Sequence, residues 1–340
     1  MDGHNIDHGR HCGDMPVSPL QARELSIAVV IPCYRVKGHV LDVIARVPQT
    51  VDRIYCVDDA CPDGSGRLIQ EQSHDPRVSV LFHEKNRGVG GATKTGYLAA
   101  RADRCDIAVK IDGDGQMNPG LIPAFVRPIV AGRCDYTKGN RFFRIEDVRN
   151  MPSIRLVGNA VLSFLSKLST GYWRLFDPTN GFTAIHLSLL DVLPLEKIAE
   201  RYFFETDLLF RLNIARCVVH DVPMSSVYAD ERSNLSIRRV ALPFVWGHAR
   251  NLTKRIFYEY FLRDFHLASV EFILGPLLLL SGAIFGAEHW WLSSMSGTAA
   301  TPGTVMIPAL MIIIGMQLLL AALAFDISNE PDHALYPTLS

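Results

Sequence analysis

Val109-Lys110-Ile111-Asp112-Gly113-Asp114-Gly115-Gln116-Met117-Asn118-Pro119 is the stretch from which the rest of this 340-residue chain can be read. The apolar run from Ile107 to Ile111 reads as a buried strand, and it stops on two carboxylates one residue apart, Asp112 and Asp114. Glycines separate and follow them, and the amide of Gln116 comes next. On an extended segment alternate side chains share a face, so Asp112, Asp114 and Gln116 would address one object. Hard oxygen donors on a tight turn suit Mg²⁺ or Mn²⁺, ions that keep open positions for a substrate's phosphates. An Asp-Gly-Asp triplet also describes ordinary turns, so the surrounding chain has to decide between the two.

Working outward, Ile27 to Ile31 is a continuous β-branched run stopped by Pro32, which reads as a buried parallel strand. Val40 to Val47 has helical spacing, and Arg53 to Val57 is a second strand ending on Asp58-Asp59. Val78 to Phe82 is a third, followed by the glycine-rich Asn86-Arg87-Gly88-Val89-Gly90-Gly91 and a helix from Ala92 to Ala102 that carries Lys94. Strands alternating with helices predict an α/β class with a Rossmann-like, mostly parallel sheet. Ligands of such sheets bind at the carboxyl ends of the strands. Pro32-Cys33-Tyr34, Asp58-Asp59, Asn86 to Gly91 and Asp112 to Gln116 all fall at such ends, which makes them one candidate site.

A net charge of −1 gives no reason to expect a nucleic-acid partner. The cysteines at 12, 33, 56, 61, 105, 134 and 217 include no Cys-x-x-Cys pair, a pattern of reduced thiols rather than of disulfides or a zinc site. Residues 1–24 are rich in His and Asp where a signal peptide would be apolar, so a flexible tail without an export signal is expected. Between Asp264 and Asp326 there is no Lys or Arg, and two apolar stretches stand out, Phe265 to Ala287 and Val305 to Phe325. At about 21–23 residues each is long enough to cross a ~30 Å hydrocarbon layer as a helix. Trp290 and Trp291 lie in the connection, and Arg238, Arg239, Arg250, Lys254, Arg255 and Arg263 precede the first stretch. That asymmetry predicts a two-helix membrane hairpin with the N-terminal region cytoplasmic. Between Pro243 and Phe261 basic and aromatic residues alternate at roughly helical period, as in an interfacial amphipathic helix with its Lys and Arg at lipid headgroups. The expected organisation is therefore a tail (1–24), a catalytic domain (25–240), a juxtamembrane helix (241–263), a transmembrane hairpin (264–326) and a cytoplasmic tail (327–340).

Taken together these motifs resemble the family-two inverting glycosyltransferases of GT-A fold, in particular the polyprenyl-phosphate sugar synthases, of which dolichyl-phosphate mannose synthases and undecaprenyl-phosphate glucosyltransferases are examples. The similarity covers about residues 26–240. It implies that Pro32, Tyr34, Asp58, Asp59, Gly88, Lys94, Asp112 and Arg232 bind the nucleotide sugar, and that Asp112, Asp114 and Gln116 form the metal site. Lys138-Gly139-Asn140-Arg141-Phe142 resembles a Gly-Ser-Arg segment, and Arg141, Arg155 and Asn159 fall where the synthases grip the lipid phosphate. Asp177 to Phe182 and Glu205-Thr206-Asp207 match acceptor-side motifs, and Arg232 to Ser236 resembles a basic loop that closes over the pyrophosphate. The sequence departs from the pattern at Arg35-Val36, where many relatives carry Asn-Glu, and at Ser233, where glycine is common. The first departure leaves the nucleotide base open, and the second leaves open how freely the closing loop moves.

The chemistry separates two acceptors. A sugar hydroxyl must lose a proton and needs a general base, for which Asp207 or Glu205 is the candidate. A lipid monophosphate is already largely ionised near neutral pH and needs cations instead, which Arg141 and Arg155 supply. The expectation is a membrane enzyme using Asp114, Arg141, Arg155 and Asp207 with Mg²⁺ or Mn²⁺. It would move a hexose from a nucleotide sugar, UDP-glucose before GDP-mannose, to a polyprenyl phosphate at the cytoplasmic membrane face. Transfer to a hydroxyl of a lipid-linked saccharide is the alternative, and a non-catalytic nucleotide-binding membrane scaffold is the alternative of another class. Homo-oligomer formation stays open.

Overall fold

The computed structural model describes residues 25–142, 153–224 and 237–339. The first part alternates β1 (Ile27–Cys33), α1 (Val40–Ala45), β2 (Arg53–Asp58), α2 (Ser65–Gln72), β3 (Val78–Phe82), α3 (Val89–Ala102) and β4 (Ile107–Lys110). There follow α4 (Ile122–Val130), β5 (Tyr136–Asn140), α5 (Ser153–Thr170), β6 (Thr183–His186), α6 (Phe204–Ile214) and β7 (Val219–Pro223). The strands form one sheet in the order β3-β2-β1-β4-β6-β5-β7. All neighbours are parallel except β6, which runs against both β4 and β5.

Apolar residues on successive positions of β1 explain why the sheet is covered on both faces. Val29 and Ile31 join one core with Ile54, Val109 and Phe125, while Ala28 and Val30 join the other with Val57, Ala108 and Leu208. Two details differ from the sequence reading. β1 does not stop at Pro32, which pairs in register with Val57 of the parallel neighbour. β4 ends at Lys110, so Asp112 to Gln116 is a turn and not an extended segment. Gly115 supplies its positive φ of 81°, and the Gln116 amide donates to Asp114 Oδ1 at 3.0 Å.

The second part is helical: α7 (Ile237–Phe257), a π-helical turn (Tyr258–Arg263), α8 (Leu267–Ser296) and α9 (Pro302–Ser328). α8 and α9 are long and apolar enough to cross a membrane, and large apolar side chains such as Ile284, Leu310 and Ile313 are exposed along them. The two helices approach closely where side chains are smallest; a Cβ on Gly315 would lie 2.7 Å from the Leu279 nitrogen. On α7 the apolar Leu242, Val245 and Trp246 are exposed.

Arg255 corrects the headgroup expectation. It is buried, and its guanidinium donates to Asp326 Oδ1 and Oδ2 (2.6 and 2.9 Å), Glu259 Oε2 (2.9 Å) and the Leu168 carbonyl (2.9 Å). An acidic partner on the return helix outcompetes lipid because buried charges are retained only when paired and hydrogen-bonded. Beyond α9 the chain packs back on the sheet domain. Leu335 and Tyr336 amides donate to the Asp135 carboxylate (2.8 and 2.6 Å to Oδ1), the Tyr336 hydroxyl donates to the Ile129 carbonyl (2.6 Å), and its ring stacks on His186 at 4.1 Å.

Candidate active site

The carboxyl ends of β4 and β5 and the amino end of the antiparallel β6 bring one cluster together. Lys110, the last residue of β4, is 1% exposed, and its Nζ lies 2.9 Å from Asp112 Oδ1 and 3.3 Å from Glu205 Oε1 at the start of α6. Burial alone would push this ammonium toward neutrality, but Asp112 and Glu205 outweigh it and hold its pKa above the ordinary lysine value. Lys138 of β5 is fully buried and donates to the Asn180 carbonyl at 2.5 Å. Here burial wins over the pull of Glu205 and Asp177, and the pKa falls to about 8. Gly181 closes the cluster. A Cβ there would stand 2.6 Å from Asp112 Oδ2 and 2.7 Å from Lys110 Nζ, so only glycine leaves room for this ion pair.

Arg141 follows β5 and is held by Asp177, with Nε to Oδ2 at 2.7 Å and NH2 to Oδ1 at 3.1 Å. Asp177 is buried while the arginine side chain is 32% exposed, so a buried carboxylate fixes a partly exposed guanidinium. A small cleft beside it is lined by Phe142, Leu162, Phe176, Pro178 and Thr179.

At the end of β2 the two aspartates serve the backbone. Asp58 accepts from the amides of Cys61 (2.8 Å) and Gly66 (2.6 Å), fixing the turn into α2. Asp59 accepts from the amides of Arg87 (2.8 Å) and Gly88 (2.7 Å) and contacts His83 Nδ1 at 2.7 Å. It thereby anchors the glycine-rich turn, where Gly88 has a φ of 86°. Tyr34 stands exposed beyond β1, with the Arg35 guanidinium 5.5 Å from its ring centroid.

Two expected site residues are used elsewhere. Lys94 is buried and donates to the Ile198 carbonyl (3.0 Å), with Glu200 Oε1 at 3.2 Å, so it ties α3 to the segment before α6. Asp207 is wholly buried, accepting from the Ala199 amide (2.9 Å) and Asn251 Nδ2 (3.0 Å) beside Arg211 and Arg250. Spacing explains the difference: two residues apart on a helix, Glu205 and Asp207 point in different directions, and Glu205 is the one that meets Lys110. Arg155 and Asn159 fall on α5, but their side chains, like the whole of Arg232, lie outside the described residues. Lys110 and Lys138 were not singled out from sequence; the available signal was a lysine inside an otherwise buried strand.

Among the described residues no three His, Cys, Asp or Glu side chains converge as a closed metal cage. An open site of two carboxylates is what a hard divalent ion sharing its coordination with a diphosphate requires, and Asp112 and Asp114 fit that donor set.

A mostly parallel α/β sheet with an acidic turn beyond its central strand and cations on the neighbouring strands defines a glycosyltransferase domain of GT-A type. Residues 28–193 match Glycosyl transferase family 2, and the chain belongs to that family. It is 30% identical over 218 residues to a UDP-N-acetylglucosamine–dolichyl-phosphate N-acetylglucosaminyltransferase of Methanococcus voltae, an alignment covering 60% of this chain and 86% of the relative. It is 28% identical over 202 residues to the polyprenol monophosphomannose synthase of Mycolicibacterium smegmatis, covering 58% and 76%. Among solved structures, glucosyl-3-phosphoglycerate synthase from Mycobacterium tuberculosis, in complex with Mn²⁺, UDP-glucose and phosphoglyceric acid, shares the fold with a TM-score of 0.50. The identity is 19%, and the match covers 68% of this chain and 80% of that one.

Proposed function

We propose that this chain transfers a hexose or N-acetylhexosamine from a nucleotide sugar to a polyprenyl phosphate at the cytoplasmic face of a membrane, with inversion at the anomeric carbon. The observation that carries this reading is the burial of Asp207. A hydroxyl acceptor needs a carboxylate base within reach, yet Asp207 is enclosed and Glu205 is engaged by Lys110. A phosphate acceptor needs no base. It needs cations near its oxygens, and Arg141, whose guanidinium Asp177 holds just beyond β5, is the acceptor-side cation proposed for that role. The relatives named for dolichyl phosphate and polyprenol support the same acceptor class, and α8 and α9 would hold the enzyme where such a lipid resides.

On the donor side Asp112 and Asp114 would hold Mg²⁺ or Mn²⁺, which when bound offsets the charge gained by the departing diphosphate. Lys110 keeps Asp112 oriented. UDP-glucose is the first donor to test, followed by UDP-N-acetylglucosamine and GDP-mannose. The deciding experiment incubates the purified protein with each radiolabelled nucleotide sugar, undecaprenyl phosphate and Mg²⁺ or Mn²⁺. Label should pass into the organic phase as a glycosyl phospholipid with one of these donors, and no such product with any donor would reject the reading.

A further inference from the structure

The segment from the base of α9 onward lies outside the candidate site described above, yet it makes a run of polar contacts with the sheet domain. Buried Asp326 accepts from Arg255, from the Tyr260 hydroxyl (2.5 Å) and from Trp173 Nε1 (2.8 Å). Four residues on, Glu330 Oε1 accepts from the Arg174 amide at 2.9 Å, and the Asn329 carbonyl accepts from Arg216 at 2.7 Å. Trp173 and Arg174 open the irregular stretch that runs through Asp177, which grips Arg141, to Gly181 beside Asp112. The chain then reaches Asp135, whose carboxylate takes the amides of Val218, Leu335 and Tyr336. Asp135 immediately precedes β5, whose middle residue is Lys138 and whose far end leads directly into Arg141. The return helix is thus fastened to the acceptor-side loop and, through residues 329–336, to the strand that carries the acceptor-side cations.

We propose that residues 326–336 form a positioning strap. It holds the loop 173–181 and β5 at a fixed height and tilt relative to α8 and α9, so that Arg141 meets a phosphate presented by a bilayer. This rests on the lipid-phosphate reading above. Asp326, Trp173, Glu330, Asp135 and Tyr336 act as positioning residues: none touches the reacting groups, and each fixes where those groups stand. Without residues 326–336 the hairpin would join the domain through the turn at 258–263, where Arg263 donates to the Ile214 carbonyl, and the strap supplies a further point of attachment.

The test compares two acceptors in the same full-length protein: a polyprenyl phosphate embedded in liposomes and a short, water-soluble isoprenyl phosphate. Trp173→Phe removes the Nε1 donor to Asp326 while keeping a smaller aromatic ring beside Phe164, and Tyr336→Ala removes the ring stacked on His186 and its hydroxyl bond to the Ile129 carbonyl. A misplacement of about an ångström costs up to about a hundredfold, so kcat/KM for the embedded acceptor should fall by about tenfold or more in each variant. Use of the soluble acceptor should stay within about twofold, because it is not bound to one height. Tyr336→Phe, which keeps the stack on His186, should recover most of the loss. Equal losses with both acceptors would mean a merely structural role and overturn the proposal, as would no loss with either. If Tyr336→Ala fails to fold, Trp173→Phe decides alone by the same ratio. A wild-type protein that glycosylates neither acceptor would reject the lipid-phosphate reading itself and the strap's role with it.

Discussion

Lys110 Nζ and Asp112 Oδ1 stand 2.9 Å apart, in a place where Gly181 allows no side chain to come between them. The first carboxylate of the acidic turn therefore carries its own internal cation. Its oxygens are oriented before any ligand arrives, which lowers the reorganisation left for binding.

That packing predicts the behaviour of Gly181→Ala. The new methyl would lie under 3 Å from both partners of the pair, and overpacking of this kind costs about 1–3 kcal/mol. The protein should fold with a modestly lowered Tm and lose most of its transfer activity, because the displaced group is Asp112. Activity close to wild type would show that the orientation of this carboxylate is unimportant.

Asp114→Ala should abolish transfer while leaving folding and membrane insertion intact, and Asp112→Asn should be severely impaired, since a neutral amide does not replace the charge of a ligand. Activity assays with and without EDTA, alongside thermal unfolding, check both. Full activity in EDTA would remove the metal from the scheme.

Arg141 and Asp207 should differ in transfer per folded molecule, although Arg141→Ala also leaves buried Asp177 without its cation and lowers Tm. Arg141→Ala deletes charge-assisted contacts worth roughly 1.5–3 kcal/mol, or about tenfold to a hundredfold in transfer to the lipid phosphate. Slow hydrolysis of the nucleotide sugar should persist. Asp207→Ala should instead act on stability, by about 3–5 kcal/mol, because it leaves Asn251 and the Ala199 amide without their buried acceptor and Arg211 without its buried counter-charge. Transfer assays set beside melting curves distinguish the two. A stable, inactive Asp207→Asn would restore the hydroxyl-acceptor mechanism.

Acid should loosen the fold through His186. Burial holds its imidazole neutral down to about pH 4, whereas the unfolded side chain takes a proton near 6.5. Between those values the unfolded chain binds the extra proton, so stability falls as pH drops through this window and is fully present above it. At about 1.4 kcal/mol per pH unit the loss is roughly 3 kcal/mol at the acid end. Comparing Tm at pH 7 and pH 4.5 should show a smaller drop in His186→Phe, which keeps a ring against Tyr336. His248, similarly buried, retains its own share of the drop. An identical drop in both proteins would exclude His186 as a source.

Membrane orientation can be read by labelling. In intact cells Ser293→Cys, near Trp290 and Trp291, should react with an impermeant thiol reagent, and Ser328→Cys should not. The reverse pattern would discard a cytoplasmic catalytic domain.

Much of the sheet was legible because its evidence is local. β-branched runs ending on small and acidic residues marked β1 to β4 within a residue or two, and strand ends located the acidic turn and the glycine-rich segment. β5, β6 and β7 went unmarked: Lys138 and Asp221 interrupt the apolar patterns of β5 and β7 and make sense only beside partners brought in from elsewhere, and β6 is only four residues long. Arg255 was misjudged for the same reason. Its spacing fits a headgroup contact equally well, and the Asp326 that claims it lies 71 residues downstream. Lys94 and Asp207 carried the expected charge in the expected motif, but which way a side chain faces depends on the tertiary neighbours of its helix.

The Asp135 carboxylate must wait for its last donors. Leu335 leaves the ribosome 200 residues after it, once both apolar helices have been made. If the first helix entered the bilayer and the second failed to return, residues 335 and 336 would be stranded across the membrane from the carboxylate that needs them. Were α8 and α9 to cross a bilayer, the contact that closes the start of β5 would thus form only in a chain whose two helices had both crossed it.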